Sequence, residues 1–344
     1  MSEVNMVEND QMMALAKEMM RRVYAEEAPE EIKNWLFGSL GRPIGKSSEE
    51  SILRWAESFD WYAALLEQRK ADALIPESER KIIDFPWPSW RKFVKRLRPG
   101  TLMVLAAPDG VGKSSYAEVL GDWWAKRGLK VVYAHYELNQ ELMLDRRMAR
   151  HAHIAVDALD AGKLTPEQEF QITDARRRLS EWTGEITYLH TPGWSMEKTI
   201  QELNRLHGEG LVDVVIIDYL EKCAPSAIQL KLFGAQSYQR EANDVEQLKN
   251  FAEAKGIPAL MLSQFGKEGK KKDFKDMRRT DIRGAGEKTE KANVVYFFDR
   301  DENENGYSNF IDGRFDKNTM GPTGNVKQYI VPEYFTVADL SVNP

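Results

Sequence analysis

The chain has 344 residues, 42% of them apolar and 30% charged, with a net charge of −6 and one cysteine, Cys223. That is enough apolar material for one large or two smaller folded domains, and it excludes a disulfide framework or a cysteine-based zinc site. The lone thiol suits a reducing cytoplasm, no run approaches the ~18 apolar residues of a membrane span, and the opening MSEVNMVENDQ lacks the apolar core of a signal peptide.

Residues 1–34 read as helical, because Met6, Met12, Met13, Leu15, Met19, Met20 and Val23 recur at three- and four-residue spacings among charged residues. Such a face packs on its own domain or, being rich in methionine, docks a partner. Residues 37–48, FGSLGRPIGKSS, form a Gly/Ser/Pro linker. Within it Arg42–Ser47 imitates a phosphate loop, but Leu40 stands where Gly or Ala belongs and no β-like run precedes it. A second helical stretch, 49–74, carries Ile52, Leu53, Trp55, Phe59, Trp61, Tyr62, Leu65 and Leu66 on more than one side. Pro76, Pro86 and Pro88 then mark an extended connector.

From about residue 85 strands and helices alternate, which predicts an α/β fold with a mainly parallel sheet covered on both faces. The first strand is the apolar run Leu102-Met103-Val104-Leu105-Ala106. It breaks into Ala107-Pro108-Asp109-Gly110-Val111-Gly112-Lys113-Ser114-Ser115, and helical composition resumes at 116–126. Strand, small-residue loop and helix in that order is the context in which backbone N–H groups curl round an anion at a helix N-terminus. Lys113 would reach the β- and γ-phosphates and the Ser114 hydroxyl would ligate Mg²⁺. Further strands are expected at 130–135, 185–190, 212–217, 258–263 and 294–298, with less regular ones near 307–315 and 326–331.

The second strand ends in Glu137, a carboxylate able to align a water or, equally, to cap the next helix. His151 and His153 have no cysteine or carboxylate at a metal-ligand spacing. The strand at 212–217 runs into Asp218. In α/β sheets the ligand crevice lies at the carboxyl ends of strands, so Asp218 would face the phosphate loop and orient the metal, although such an aspartate alone also fits a helix cap. The strand at 258–263 ends at Gln264, placed to sense a γ-phosphate. Residues 265–286 then carry eight basic residues against four acidic ones, a local excess of +4 on an acidic body. Lys270, Lys271, Lys272 and Arg283, with the amides of Gly284 and Gly286, are equipment for gripping a phosphate backbone without reading sequence.

Taken in order, these motifs resemble the DnaB-type replicative helicases, phage and organellar relatives included, within the RecA-like ATPases. The resemblance covers roughly 85–331. Residues 106–114 are similar to that family's phosphate loop, in which Ala at the first glycine position is normal. Tyr136-Glu137 matches its catalytic glutamate, Ile217-Asp218-Tyr219-Leu220 its metal-orienting Asp-Tyr-Leu, and Leu262-Ser263-Gln264 its sensor. Asp281-Ile282-Arg283 followed by Gly286 resembles its single-strand-contacting loop. Residues 317–324 match its Lys-x-Arg-x-Gly-Pro-x-Gly.

The resemblance implies a RecA-like ATPase domain over 85–344 behind a small helical region at 1–84. It implies ATP and Mg²⁺ as cofactors and movement 5′ to 3′ on single-stranded DNA. It also implies a homo-oligomer in the form of a hexameric ring. Residues 1–84 depart from the family, resembling neither its helical N-terminal domain nor a primase with its zinc module, and their apolar helix faces are the candidate surface for a replication-protein partner. Lys113, Glu137 and Gln264 are the expected catalytic residues. The family's intersubunit arginine finger falls on Thr319, with Arg314 as the substitute if the loop is shifted; losing a finger would leave a slow ATPase. The competing reading is therefore an ATP-switched assembly or loading factor with slow turnover. A small-molecule kinase would leave Gln264 and 281–286 without a role.

Overall fold

The computed structural model describes residues 55–76, 82–137, 139–234, 236–304 and 306–340. The helical reading of 1–34, the linker at 37–48 with its imitation phosphate loop, and the start of the second helical stretch lie outside them. Helix α1, Trp55–Leu74, is built of good helix formers with no Gly or Pro, and Pro76 follows its end. Phe59, Trp61, Tyr62, Leu66 and Leu74 are exposed on it. Contacts divide the chain within this helix: one unit ends at Tyr62, and the second, from Ala63 onward, holds the sheet.

In the second unit the short helix α2, Pro88–Arg91, precedes strand β1, Leu102–Ala107, and helix α3, Lys113–Lys126. Next come β2, Lys130–His135, and the helices α4, Gln140–Ala152, α5, Val156–Asp160, and α6, Pro166–Ser180. After them lie β3, Glu185–His190, α7, Met196–Gly208, and β4, Val214–Asp218. Helices α8, Ala227–Phe233, and α9, Ser237–Lys255, lead to β5, Ala259–Gln264. The chain continues through α10, Ala285–Lys291, β6, Val294–Asp299, and the small hairpin of β7, Glu302–Asn303, and β8, Gly306–Tyr307. It closes with β9, Phe310–Asn318, β10, Gly324–Val331, and β11, Thr336–Asp339.

Among the described residues the main sheet has nine strands in the order β11-β10-β9-β6-β1-β5-β4-β2-β3. The six from β6 to β3 are parallel, and β9, β10 and β11 extend the β6 edge antiparallel. This is the expected RecA-like, mainly parallel sheet with helices on both faces. Three local expectations needed correction. Helix α3 begins at Lys113 rather than 116, because Gly112 caps it in a left-handed conformation. The strand expected near 307–315 is split between β8 and β9. Strand β11 was not expected at all.

Alternation along β1 explains its continuous apolar run. Met103, Leu105 and Ala107 pack on one face with Tyr116, Leu120 and Trp124 of α3, while Leu102, Val104 and Ala106 pack on the other with Leu203 of α7 and Val245 and Leu248 of α9. On the first face the segment leading into β1 is pinned by two tryptophans. Trp87 Nε1 donates to the Val337 carbonyl at 2.9 Å and Trp90 Nε1 to Gln328 Oε1 at 3.0 Å. Gln328, fully buried, also receives the Tyr116 hydroxyl at 2.7 Å, so the antiparallel extension is tied to the helix that follows the phosphate loop.

Helices α3 and α4 share a buried ionic cluster. Arg150 donates to Glu118 Oε2 at 2.7 Å and to Asp122 Oδ2 at 2.8 Å, and Arg147 and His151 also reach Asp122. Burial alone would raise the Asp122 pKa, but Arg150 and His151 hold it well below the usual carboxylate range. His151 thus has a structural partner. Among the described residues no helix is long and apolar enough to cross a membrane.

Candidate functional site

At the carboxyl ends of β1, β2, β4 and β5 lies a cleft of about 680 Å³ lined by Asp109, Gly110, Gly112, Lys113, Ser114, Ser115, Glu137, Asp218, Gln264 and Arg283, among others. Strand order creates it: β4 lies between β2 and β5, and β5 between β4 and β1, so residues more than a hundred positions apart converge. Ala107 ends β1 and Pro108 and Val111 complete the loop.

The loop is shaped by glycines in the left-handed region, where a side chain would be strained. Gly110 and Gly112 have φ of +76° and +115°, and a Cβ on Gly112 would fall 2.8 Å from Ile330 Cδ1. Lys113 is buried, and its ammonium donates to the carbonyls of Ala107 at 3.1 Å and Pro108 at 2.8 Å, with Asp109 3.8 Å away. It therefore already lies across the mouth of the loop. The Asp218 carboxylate accepts the Tyr133 hydroxyl at 2.6 Å, and Ser114 lines the same cleft. Burial raises the Asp218 pKa, against the opposing effects of Tyr133, Ser114 and Lys113.

This donor set suits a magnesium–triphosphate. Among the described residues no group of three or more His, Cys, Asp or Glu side chains is arranged to hold a metal unaided. Ser114 and Asp218 supply two oxygen ligands, and Mg²⁺ ordinarily draws the rest from substrate phosphates and water.

Glu137 sits on the cleft beside Lys222, 3.0 Å from its ammonium, with both side chains about half exposed. Partial burial and the neighbouring Glu137 push the Tyr219 hydroxyl up to about 12. Gln264 presents its backbone N–H to Glu221 Oε1 at 3.1 Å, and its carbonyl accepts the Arg283 N–H at 2.8 Å. The neck of the 265–286 segment is thereby closed on Gln264, helped by a Phe265–Ile282 bridge and a Gly266 N–H to Asp281 carbonyl bond of 2.8 Å.

Beyond that neck the segment is a chain of short turns over Gly269–Lys271, Phe274–Asp276 and Arg279–Asp281, the first containing Lys270. Phe265, Met277 and Ile282 are its buried anchors. Lys271 is exposed and 3.7 Å from Glu268, and Lys272 pairs with Asp281 at 2.7 Å. Arg283 is half exposed and pairs with Glu241 at 3.2 Å. Gly284 takes a left-handed φ of +62° ahead of α10. A Cβ on Gly286 would fall 2.2 Å from the hydroxyl at the tip of the half-exposed Tyr238 of α9.

Arg314 is held within its own chain. Its guanidinium donates to Asn325 Oδ1 at 3.0 Å and to the Met277 carbonyl at 3.1 Å, and lies 5.2 Å from the Phe274 ring and 5.6 Å from that of Phe297. Thr319 is exposed. Lys317 donates to the carbonyls of Thr289 and Glu290 near the end of α10.

Several residues that line the cleft escaped the sequence reading. Arg146 of α4 stacks on Phe335 at 4.7 Å. Arg300, after β6, reaches the Val111 carbonyl at 3.4 Å and stacks on Tyr307 at 5.4 Å, and the Tyr307 hydroxyl donates to the Asp109 carbonyl at 3.3 Å. His135 ends β2 directly beside Asp218. The apolar-strand-then-polar pattern that singled out Asp218 and Gln264 recurs at Asp299-Arg300 and could have flagged the latter.

Comparison with known proteins bears on the family and the fold. The family model described as the DnaB-like helicase C terminal domain matches residues 89–339. A replicative DNA helicase DnaB of Geobacillus stearothermophilus is 27% identical over 238 residues, which is 68% of this chain and 51% of that relative. A replicative DNA helicase DnaC of Bacillus subtilis is likewise 27% identical over 238 residues, 68% of this chain and 51% of that relative. The chain thus spans about half the length of the curated relatives it matches. Among solved structures, a DnaB-like replicative helicase, solved in a study of its interactions with primase, matches with a TM-score of 0.68 at 17% identity, over 97% of this chain and 77% of that one. A separately solved ATPase domain matches with a TM-score of 0.70 at 18% identity, over 84% of this chain and 100% of that one. At those identities the structural likeness speaks for the fold, and the family model speaks for kinship: the chain belongs to the family of the DnaB-like helicase C-terminal domain.

Proposed function

We propose that residues 85–344 are the motor of an ATP-dependent DNA helicase or translocase that moves 5′ to 3′ on single-stranded DNA during replication. In this reading the motor works in the cytoplasm as a homo-oligomeric ring of six, and residues 1–84 form a helical region that meets a replication-protein partner. The observation that carries the reading is the direct backbone bond between Gln264, on the phosphate cleft, and Arg283, at the neck of the basic segment.

When bound, Mg·ATP supplies the phosphoanhydride bond to be hydrolysed and the anionic charge around which the site is built. Lys113 exchanges its two loop carbonyls for phosphate oxygens. Ser114 and Asp218 would hold the metal, which would offset the negative charge of the phosphates. Glu137 takes the proton of the attacking water at the cleft. Gln264 registers the γ-phosphate and passes the change to Arg283, so that Arg283, Lys270, Lys271, Lys272 and the amides of Gly284 and Gly286 alter their grip on the DNA backbone.

The test is ATP hydrolysis with and without single-stranded DNA, beside unwinding of a forked duplex. Stimulation by DNA that vanishes in Lys113→Ala and drops steeply in Arg283→Ala is expected. Affinity for the strand should fall with salt at a log–log slope of about 0.7 per neutralised phosphate. Equal hydrolysis with and without DNA at low salt would overturn the reading.

The geometry of Arg314 favours a second reading, an ATP-switched assembly or loading factor with slow turnover. Reaching a neighbour's nucleotide would cost Arg314 its bonds to Asn325 and Met277 and its aromatic contacts. Arginine fingers add roughly 10³–10⁵ in rate. Under this reading Arg314→Ala leaves turnover unchanged, and Thr319→Arg raises it.

A further inference from the structure

Lys288 of α10 is fully buried. Its ammonium donates to Glu221 Oε1 at 2.7 Å, Glu241 Oε2 at 3.0 Å and Ser263 Oγ at 3.3 Å. These three partners come from the turn after β4, from α9 and from β5. Glu221 Oε1 also accepts the Ser263 hydroxyl at 2.6 Å and the Gln264 N–H at 3.1 Å. The other oxygen of Glu241 pairs with Arg283 at 3.2 Å, and the Arg283 N–H returns to the Gln264 carbonyl at 2.8 Å. The contacts close a ring: Gln264, Glu221, Lys288, Glu241, Arg283 and Gln264 again.

The charges explain why this ring is a linkage rather than a set of independent contacts. Lys288 faces two carboxylates, and among the described residues the second of them is balanced by Arg283, which is half exposed. If Arg283 moves away, Glu241 keeps Lys288 as its remaining ion-pair partner and draws it from Glu221. If Gln264 and Ser263 shift against Glu221, the same ammonium feels it from the other side. A buried ion pair is weak evidence for stability, since apolar side chains of similar volume often do as well or better. What this one provides is a directional tie between two surfaces. Glu221 itself lines the nucleotide cleft, and among the described residues its buried Oε2 has no hydrogen-bond partner, so it has spare accepting capacity as its donors move.

We propose that Lys288 is a positioning residue that transmits nucleotide occupancy at Gln264 to Arg283 and α10. The inference rests on the reading of Gln264 as the γ-phosphate sensor, and it concerns the path of coupling, not the chemistry. It is tested by amide hydrogen exchange over residues 283–291 in the full chain, with and without saturating Mg²⁺ and adenylyl imidodiphosphate. In the wild type the nucleotide should change exchange there by about 5-fold or more, the lower range of typical site-to-site coupling. In Lys288→Met the analogue should still bind, with the response reduced to less than about 2-fold, well below that range. Glu241→Gln leaves the Lys288–Glu221 pair in place, so it decides the matter if the first variant does not fold; it too should lose most of the response.

A full response in either folded variant, or none in the wild type, would overturn the proposal. Hydrolysis with and without a single-stranded oligonucleotide is measured on the same samples. Indifference to DNA beside a Lys288-dependent exchange response would sink the translocase reading and leave this linkage standing.

Discussion

Asp244 offers a sharp test of the electrostatics around the cleft. It lies on α9, is almost fully buried, and accepts Gln229 Nε2 from α8 at 2.6 Å. Burial, opposed by that hydrogen bond and reinforced by the neighbouring Glu241, pushes its carboxyl from 3.8 up to about 7. An acid whose pKa is raised on folding contributes stability that is complete below its unfolded pKa and is lost as pH rises through the folded one. The loss therefore runs from about pH 4 to pH 7, and a change of roughly a thousandfold in proton affinity sets a ceiling of about 4 kcal/mol. Local parting of α8 from α9 would hydrate the carboxylate and lower that figure. Asp244→Asn keeps the acceptor for Gln229 and removes the charge. Urea melts of both proteins at pH 5 and pH 8.5 should show the variant more stable by about 1–4 kcal/mol at the higher pH, with the advantage shrinking by more than half at the lower. An advantage equal at the two pH values, or a loss of stability at pH 8.5, would refute the reasoning.

Other outcomes come from packing and charge. Arg150→Met takes from Glu118 its ion-pair partner in the α3–α4 interface, while Asp122 keeps Arg147 and His151, and should cost about 3–5 kcal/mol in chemical denaturation; a cost under about 1 kcal/mol would mean the cluster relaxes into water. Gly313→Ala places a Cβ 1.9 Å from the hydroxyl of the fully buried Tyr296, so a loss of at least about 1–3 kcal/mol is expected. Gly286→Ala meets only the tip of Tyr238, a half-exposed side chain that can swing away, and melting should show a smaller cost. Asp218→Asn should leave the fold intact and weaken the dependence of nucleotide binding on Mg²⁺; titration with Mg²⁺ at fixed nucleotide reads this directly.

Most of the sheet and half of the cleft were legible in the sequence. Strands buried on both faces are written as apolar runs, so 130–135 matches β2 in full; 185–190 also matches β3 in full, although that strand lies at the sheet edge and is only partly buried. The phosphate loop, Asp218 and Gln264 were legible for a related reason: each follows directly on such a run, and the end of a parallel strand is where an α/β fold exposes function. Strand β11 was not legible, because Thr336–Asp339 is four residues long and carries no run.

What the sequence could not determine is which strand ends meet. The order β6-β1-β5-β4-β2 sets Asp218 beside His135 and brings Arg300 against the phosphate loop, and no local pattern encodes that order. Lys288 is the clearest case. In a helix rich in charged residues it reads as solvated surface, and only the packing of α10 against α9 and β5 turns it into a buried ammonium between two carboxylates. Local composition determined the strands and the loop because burial and backbone conformation act over a few residues. The tertiary structure alone decided the partners of each charge, because those pairings join segments that only the folded sheet brings within a few ångströms.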